Sequence, residues 1–155
     1  REACVAAVSD NIKSTSLDES VRFALAQAVQ SMSAEPAGLT LVTHQVPVAR
    51  GLHVTLFAPM RGDASIDMQT VYEQRFAEEP FVDVLPAGDE PETCTVRGAN
   101  MCRIAVRHQA SSSTVVILCV IDNLVKGATG QAVQAMNLMF GIPEPIGLKH
   151  LALMS

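Results

Sequence analysis

Tryptophan is absent from this chain of 155 residues, and aromatic residues of all kinds make up only 4% of it. Charged residues are also scarce, at 17%, where about a quarter is usual. A surface so short of charge favours burial against a partner chain, as a homo- or hetero-oligomer. The net charge of -5 and the lack of any basic run argue against nucleic acid or an anionic membrane as the main partner.

Metal-binding and redox motifs are missing too. No two of the four cysteines have C-x-x-C spacing, which favours reduced thiols in a cytosolic or matrix compartment over disulfides or a metal cluster: Cys4, Cys94, Cys102 and Cys119. We expect an ordinary, buried and inert thiol at Cys102. No pair of histidines has metal-ligand spacing, so we predict no metal site at His44, His53, His108 or His150.

Long apolar runs and targeting segments are equally absent. Asp122 interrupts the longest apolar run well before it reaches the length of a membrane span, so we predict no direct span. Neither a signal peptide nor a transit peptide is visible. The sequence begins at Arg1 and not at methionine, which indicates a processed or an incomplete end.

The most informative stretch that is present runs through residues 115–141, VVILCVIDNLVKGATGQAVQAMNLMFG. Its apolar, β-branched first part, residues 115–121, predicts a strand buried on both faces. From Lys126, small and apolar residues recur at three- and four-residue steps, which predicts a helix that ends at Gly141. Glycines and alanines leave one end of this helix nearly bare, so we expect the chain's own sheet, or else a flat ligand, to lie against it.

The rest of the chain alternates between helical and strand periodicity. Helices are predicted over residues 18–33 and 65–78, the second capped by Ser65 with Ile66, Val71, Tyr72 and Phe76 inward. Strands are predicted over residues 39–48, 52–59, 81–85 and 101–108. This order predicts one α+β domain, residues 1–155, with a mostly antiparallel mixed sheet and helices packed on one face.

The string DNLVKGATGQAVQAMNLMFGIPE resembles the C-terminal signature of N-acetyl-γ-glutamyl-phosphate reductases, NADP-dependent enzymes of arginine biosynthesis related to aspartate-semialdehyde dehydrogenases. Three upstream segments resemble that family in the same order and spacing: THQVPVARGL, YEQRFAEEPFVDVLPAGDEPET and VRGANMCRIAV. The likeness covers residues 39–148. It implies the substrate and dimerisation domain of such a reductase, together with the terminal helix that turns back onto the NADP domain.

Two features of that family are missing from the sequence. The glycine-rich G-x-x-G-x-x-G turn and the G-C-Y-P nucleophile motif do not occur, so we expect no NADP-binding domain in this chain and no cofactor on its own, with NADP only in a pairing with a cofactor domain. Where the family has H-R-H, the best alignment places Val21, Arg22 and Phe23. Valine and phenylalanine cannot transfer protons, so we predict no catalytic residue here.

The resemblance also suggests residues for binding. Asn123, Lys126 and Gly127 stand where the family's terminal helix approaches the nicotinamide end of the cofactor. Without a cofactor domain we expect this site to be vestigial, with Asn123 capping the helix and Lys126 solvated. Arg50 and Asn100, along with Arg97, are candidates for recognising a substrate carboxylate through charge-assisted hydrogen bonds, unless the arginines form loop salt bridges with Glu90 or Glu92.

Two functions follow from these observations. The favoured one is a non-catalytic, reductase-like structural subunit of a larger organellar complex, mitochondrial by analogy and otherwise cytoplasmic. It would dock protein partners through the helix from Lys126 to Gly141 and through an apolar sheet face. The alternative is the C-terminal part of a split or processed N-acetyl-γ-glutamyl-phosphate reductase that needs a partner chain for catalysis.

Overall fold

The computed structural model describes residues 13–15, 19–32, 42–60, 65–108, 113–149 and 152. The chain divides into two compact units, residues 1–49 and residues 50–155. In the first unit, β1 (Lys13–Thr15) pairs antiparallel with β2 (Thr43–Gln45), and α1 (Glu19–Ser31) lies between them in sequence. The predicted helix over residues 18–33 is thus confirmed where it is described, while the predicted strand over residues 39–48 is much shorter and its residues 39–41 lie outside the description.

The second unit is built on a four-stranded sheet. Its strands are β3 (Leu52–Pro59), β4 (Val82–Val84), β5 (Cys102–His108) and β6 (Thr114–Ile121), in the spatial order β3-β6-β5-β4. Only β4 and β5 run parallel; β6 is antiparallel to both of its neighbours. The prediction of an α+β fold with a mostly antiparallel mixed sheet is confirmed.

The central strand β6 is less completely covered than its sequence predicts. Val115 and Ile117 are buried on one face of the sheet and Val120 on the other, while Val116 and Leu118 stay partly exposed. Each face is therefore closed over only part of the strand, the Val115 face in its first half and the Val120 face near the end that leads into Asp122. A continuous apolar run marks a central position in the sheet, because β6 is paired on both sides, but the loops and helices nearby decide how much of each face is covered.

The helix α2 (Met68–Phe76) packs against β4 and β5 over a core of Ile104, Val106, Val115 and Ile117. Met68, Tyr72 and Phe76 lie four residues apart and meet this core. Asp67, and not Ser65, caps the helix, since its side chain accepts from the Gln69 amide. The helix therefore starts later than predicted, and the predicted inward residues Ile66 and Val71 are exposed.

After β6 the chain makes a π-helical turn over Val125–Thr129 and continues as α3 (Gly130–Met139). Gly141 has a φ of 67°, the left-handed conformation expected of a residue that ends a helix. The predicted helix is confirmed from Gly130 onward, while the residues before Gly130 form the π-helical turn. The buried residues of α3 are Gly130, Gln134 and Asn137, whereas the apolar residues at its end, from Leu138 to Phe140, are exposed.

No helix in the described ranges is long and apolar enough to cross a bilayer. A 3-10 helix over Thr93–Val96, which periodicity does not predict, buries Val96 completely. Its four residues stand near the end of β6. The end of the sheet that carries the candidate site is therefore closed by a short element that joins β4 to β5.

Candidate functional site

Asp122, just after β6, is the centre of a buried polar cluster. The residue is only 1% exposed, and its Oδ2 accepts a hydrogen bond from the Gly98 amide at 2.6 Å. Oδ1 accepts from the amides of Leu124 and Val125 at 2.8 and 3.0 Å. The Arg50 guanidinium adds a hydrogen bond from Nη2 to Oδ1 at 3.1 Å and an ion pair between Nε and Oδ2 at 2.7 Å. One carboxylate thus ties two loops to the turn that opens the π-helix.

The Asp122 cluster stays charged at neutral pH. Burial by itself raises the pKa of Asp122, but the hydrogen bonds from Gly98, Arg50 and the two turn amides outweigh burial and hold that pKa below its ordinary value of 3.8. A carboxylate with this many donors is satisfied despite being buried. Removing one partner of such a buried pair costs about 3–5 kcal/mol, because the other charge is left without compensation.

The sequence suggested that Asn123 caps the helix, but the structure does not place it there. Asp122 instead accepts hydrogen bonds from the first amides of the turn. Asn123 Oδ1 accepts a hydrogen bond from the Gly51 amide at 2.7 Å. Gly51 has a φ of 113°, and a Cβ there would lie 2.9 Å from the Thr93 Cβ. The glycine is required for both its backbone conformation and the close approach of Thr93, so the Arg50-Gly51 dipeptide positions the loop on Asn123.

A second polar network lies behind the first. Gln134 of α3 accepts two hydrogen bonds at Oε1, from Asn100 Nδ2 at 2.9 Å and from Lys126 Nζ at 2.7 Å, and donates from Nε2 to Glu144 Oε1 at 2.5 Å. Lys126 is therefore directed inward, which corrects the prediction of a solvated lysine. Burial lowers its pKa, and the nearby acidic groups, Glu144 among them, oppose that shift.

Asn137 is the other polar side chain on the buried face of α3. Its Nδ2 donates to the carbonyl oxygens of Glu144 and Ile146 at 3.0 and 2.9 Å, which fastens the segment after α3 back onto the helix. Because amides without partners are costly to bury, these contacts are what allow α3 to turn a polar face inward. Hydropathy alone cannot reveal this, because the partners include two carbonyl groups of the backbone.

Gly130 fits tightly against the chain itself. A Cβ on it would lie 2.3 Å from Asn100 Oδ1 and 2.9 Å from the Val125 carbonyl oxygen. Asn100 is 1% exposed, and this Oδ1 has no hydrogen-bond partner among the described residues. The predicted close approach to the bare end of the helix is thus real at Gly130, but the neighbour is the Asn100 loop and not the sheet.

The surface in front of the Asp122 cluster is made of small exposed residues. Asn123, Gly127, Ala128 and Thr129 are all exposed. A Cβ on Gly127 would make only an ordinary contact with the Ile121 side chain, at 3.4 Å, so none of the described residues requires glycine here. Of the three residues suggested for the nicotinamide end of a cofactor, Asn123 and Gly127 share this open surface, while Lys126 lies behind it.

The two suggested substrate residues are placed in different networks. The Arg50 side chain is 29% exposed and bound to Asp122, and Asn100 is buried beside Gln134. The suggested alternative of a salt bridge from Arg50 to the acidic loop is wrong. Arg107 takes that place and donates from Nη2 to Glu90 Oε1 at 2.7 Å.

Cys102 is not the fully buried thiol that the sequence suggested. Its side chain is half-buried, and its Sγ lies 3.3 Å from the Sγ of Cys119. The contact with the Cys119 sulfur lowers the pKa of Cys102 to about 7, with help from the charge of Lys126 and against the effect of burial. The same contact raises the pKa of Cys119. The missed signal was the antiparallel pairing of the two strands, which brings these residues together.

The remaining candidates are of ordinary kinds. Phe23, at one position where the resemblance leads us to expect histidine, is on α1 and 65% exposed; the side chains of its two predecessors lie outside the described residues. His44 is exposed on β2, and His150 lies outside the description. The described ranges contain no group of three or more His, Cys, Asp or Glu residues that could hold a metal ion.

Comparison with known proteins gives a family match across most of the chain. The family model described as the dimerisation domain of semialdehyde dehydrogenase matches residues 24–123. This range includes β2 through β6 and ends at Asn123. Part of the candidate surface, from Arg50 to Asn123, therefore lies within the matched region, whereas α3 lies beyond it.

Three similar proteins each carry the name N-acetyl-gamma-glutamyl-phosphate reductase. The protein from Nitrosomonas europaea is 51% identical over 150 residues, which is 96% of this chain and 43% of that protein. The one from Alkalilimnicola ehrlichii is 58% identical over 122 residues, 79% of this chain and 35% of that protein. The one from Pseudomonas aeruginosa is 53% identical over 130 residues, 84% and 38% respectively. The chain thus spans less than half the length of the curated relatives it matches.

Proposed function

The chain belongs to the family of semialdehyde dehydrogenase dimerisation domains, and from this premise we propose that it supplies the dimerisation and substrate-side part of an N-acetyl-γ-glutamyl-phosphate reductase. The observation that carries the proposal is the 51% identity over 96% of the chain to a protein of that name. The nucleotide site and the nucleophile would come from a further stretch of polypeptide, on the same chain or on a partner.

This proposal replaces the structural subunit as the preferred function. Each of the three relatives has the name of the enzyme, which favours a part of an enzyme over an accessory protein. The organellar setting has no support of its own in these names and stays a prediction. Fractionation of the source cells, with an antibody against this chain, would test it.

The exposed apolar surfaces suit a domain that binds other protein. The edge strand β3 exposes Leu52, Leu56 and Phe57, and α3 and its end expose Leu138, Met139 and Phe140. Apolar patches of this kind are typical of interaction surfaces. We propose that the surface on β3 binds a second copy of the domain, and that the surface on α3 binds the nucleotide-binding domain.

NADP, held by its own domain, would supply the hydride acceptor. Asn123 and Gly127 would hold its nicotinamide end, because the exposed backbone at Gly127 has no side chain to obstruct a flat ring. Lys126 would act indirectly, by holding Gln134. For the substrate we retain Arg50 as the anion-binding residue, since its side chain is partly exposed, while Asn100 is a positioning residue within the Gln134 network.

The test is a hybrid enzyme. The portion of the Nitrosomonas europaea reductase that this chain does not match would be joined to this chain, and reduction of NADP would be followed with N-acetylglutamate semialdehyde and phosphate. We expect turnover by the hybrid, and neither turnover nor NADP binding by residues 1–155 alone. Tight NADP binding by the chain alone would contradict the proposal.

The non-catalytic reading is retained because of one feature, the residues Val21 and Phe23 at positions where the resemblance leads us to expect histidines. It predicts a hybrid that assembles and binds NADP without turnover. The double variant Val21→His/Phe23→His would then restore activity, since histidine can transfer the proton that valine and phenylalanine cannot. Turnover by the unaltered hybrid would instead eliminate this reading.

A further inference from the structure

Two cysteines on neighbouring strands form a close thiol pair. Cys102 opens β5 and Cys119 lies near the end of β6, and their Sγ atoms are 3.3 Å apart. In the strand register Cys102 pairs with Ile121 and Cys119 pairs with Ile104, so the two cysteines are diagonal neighbours on one face of the sheet. The strand pairing therefore places the two side chains next to each other on the same face of the sheet.

The surroundings make the two thiols unequal. The charge of Lys126 acts on Cys102, and the contact between the two sulfurs lowers the pKa of Cys102 while it raises that of Cys119. Cys102 is therefore the more acidic of the two thiols. Cys102 is thus suited to attack and Cys119 to resolve, because the thiolate is the nucleophile. Both side chains are only half-buried, which leaves room for a small oxidant.

We propose that Cys102 and Cys119 are a redox-active dithiol that hydrogen peroxide oxidises to a reversible disulfide. The Cys102 thiolate attacks one peroxide oxygen, the O–O bond breaks, and the departing hydroxide takes up a proton to become water. Cys102 is then a sulfenic acid. The Cys119 sulfur attacks the Cys102 sulfur, the S–O bond breaks, and the Cys119 proton leaves with the hydroxyl as a second water. The two thiols lose two electrons, and the peroxide is reduced to two molecules of water.

The diagonal placement favours a disulfide that is easily reduced. Diagonal neighbours on antiparallel strands have Cα atoms roughly 7–8 Å apart, beyond the usual span of a disulfide. Closing the bond therefore requires a local shift of the strands, and strained disulfides have more oxidising potentials. We expect a labile, regulatory bond and not a permanent staple. The inference is independent of the proposed reductase function, since it concerns only these two strands.

The experiment uses the whole chain, reduced and then exposed to hydrogen peroxide at neutral pH. We expect the intact mass to fall by two hydrogen atoms, and proteolytic peptides containing Cys102 and Cys119 to be joined until dithiothreitol separates them. Before oxidation, alkylation should modify Cys102 at least about five-fold faster than Cys94, because the gain in thiolate fraction exceeds the loss in nucleophilicity. Peptides joined through Cys94 or Cys4, or no intramolecular link at all, would overturn the proposal.

Matched variants separate the two roles. Cys119→Ser should leave a sulfenic acid on Cys102 that dimedone traps, and Cys102→Ser should abolish both the trap and the link. Cys94→Ser, at an exposed cysteine, serves as the control and should form the link at the rate of the unaltered chain. If Cys119→Ser oxidises no faster at Cys102 than at Cys94, the proposal is wrong. The unaltered chain decides the question even if a serine variant fails to fold.

Discussion

The helices α2 and α3 are 9 and 10 residues long and treat their apolar side chains in opposite ways. On α2, Tyr72 and Phe76 pack against the sheet core. On α3, Gln134 and Asn137 are buried, while Met139 is 81% exposed. The difference shows that burial follows the available partners: α2 faces a sheet of aliphatic side chains, whereas α3 faces loops that offer amides, a carboxylate and carbonyl oxygens.

The inverted arrangement of α3 has a cost and a use. Burying amides is tolerated only because each has hydrogen-bond partners, so this helix depends on the Asp122 and Gln134 networks to hold its neighbours in place. Its apolar residues are left on the outside. In the proposed enzyme these are the groups that a second domain would cover, which gives the inversion a function.

The largest expected effect comes from removing the carboxylate on which the α3 region depends. Asp122→Ala leaves Arg50 and three backbone amides without their acceptor, and the free energy of unfolding should fall by about 3–5 kcal/mol. Urea denaturation measures this, with Asp122→Asn as the variant that keeps the shape. A loss below about 1 kcal/mol for the alanine variant would show that the polar networks do not hold this region.

The next largest effect on stability is expected from a comparison of one alanine substitution on each helix. Phe76→Ala on α2 removes a half-buried ring from the core and should cost about 2–3 kcal/mol. Met139→Ala on α3 should change the free energy of unfolding by less than about 0.5 kcal/mol, since the side chain is exposed. Thermal denaturation of both variants, at a concentration where the chain is monomeric, tests the contrast. Equal losses in the free energy of unfolding for the two variants would show that the two helices do not differ in this way.

Two glycines at the start of α3 sharpen the comparison further. Gly130→Ala forces a methyl group against Asn100 and the Val125 carbonyl and should cost about 1–2 kcal/mol. Gly127→Ala meets only an ordinary contact and should be neutral within about 0.5 kcal/mol, since alanine also restricts the unfolded chain. Urea midpoints of the pair give the answer. If Gly127→Ala lost more stability than Gly130→Ala, the tight contact would be at Gly127 on the exposed surface and not at Gly130.

Acid should weaken the α3 region through Asp122. Because the folded pKa of Asp122 is below its ordinary value of 3.8, its contribution to stability is fully present above that value and is lost as the pH falls toward the folded pKa. The unaltered chain should therefore lose stability between about pH 5 and about pH 3 more steeply than Asp122→Asn. Parallel curves for the two proteins in this range would contradict the assignment.

The smallest effect is expected on the exposed side of α2. Arg75 Nη1 lies 3.1 Å from Glu79 Oε1, in a pair separated by four residues. Because both side chains are largely exposed, Arg75→Ala should cost only about 0.3–0.5 kcal/mol, and added salt should reduce even that. A loss near that of Phe76→Ala would mean that the cation–π contact of the Arg75 guanidinium with the Phe76 ring, 5.2 Å from the ring centroid, matters more than we infer.

Much of the framework was predictable from the sequence. The strand at residues 52–59 has the predicted bounds, and β5 and β6 differ from theirs by one residue, because alternation and β-branched runs are local signals. The start of α2 was wrong by three residues, since Ser65 and Asp67 are both good caps and only the folded chain shows which side chain meets the helix amides.

Less of the candidate site could be predicted. The resemblance pointed to Asn123 and Gly127, and both are on the open surface. It did not point to Asp122, the residue that organises the cluster, because its partners Arg50 and Gly98 are 72 and 24 residues away along the chain. The cysteine pair was missed for the same reason, since it depends on strand register.

The sequence by itself determined the family, the order of the strands and helices, and the position of the helix that begins after Asp122, since all of these follow from local patterns of residues. Only the tertiary structure decided which face of α3 is buried and which thiols, amides and carboxylates meet. The physical reason is that the free energy of burying a polar group depends on whether a hydrogen-bond partner is present at the buried position. That partner is usually distant in sequence and is brought near only by the fold.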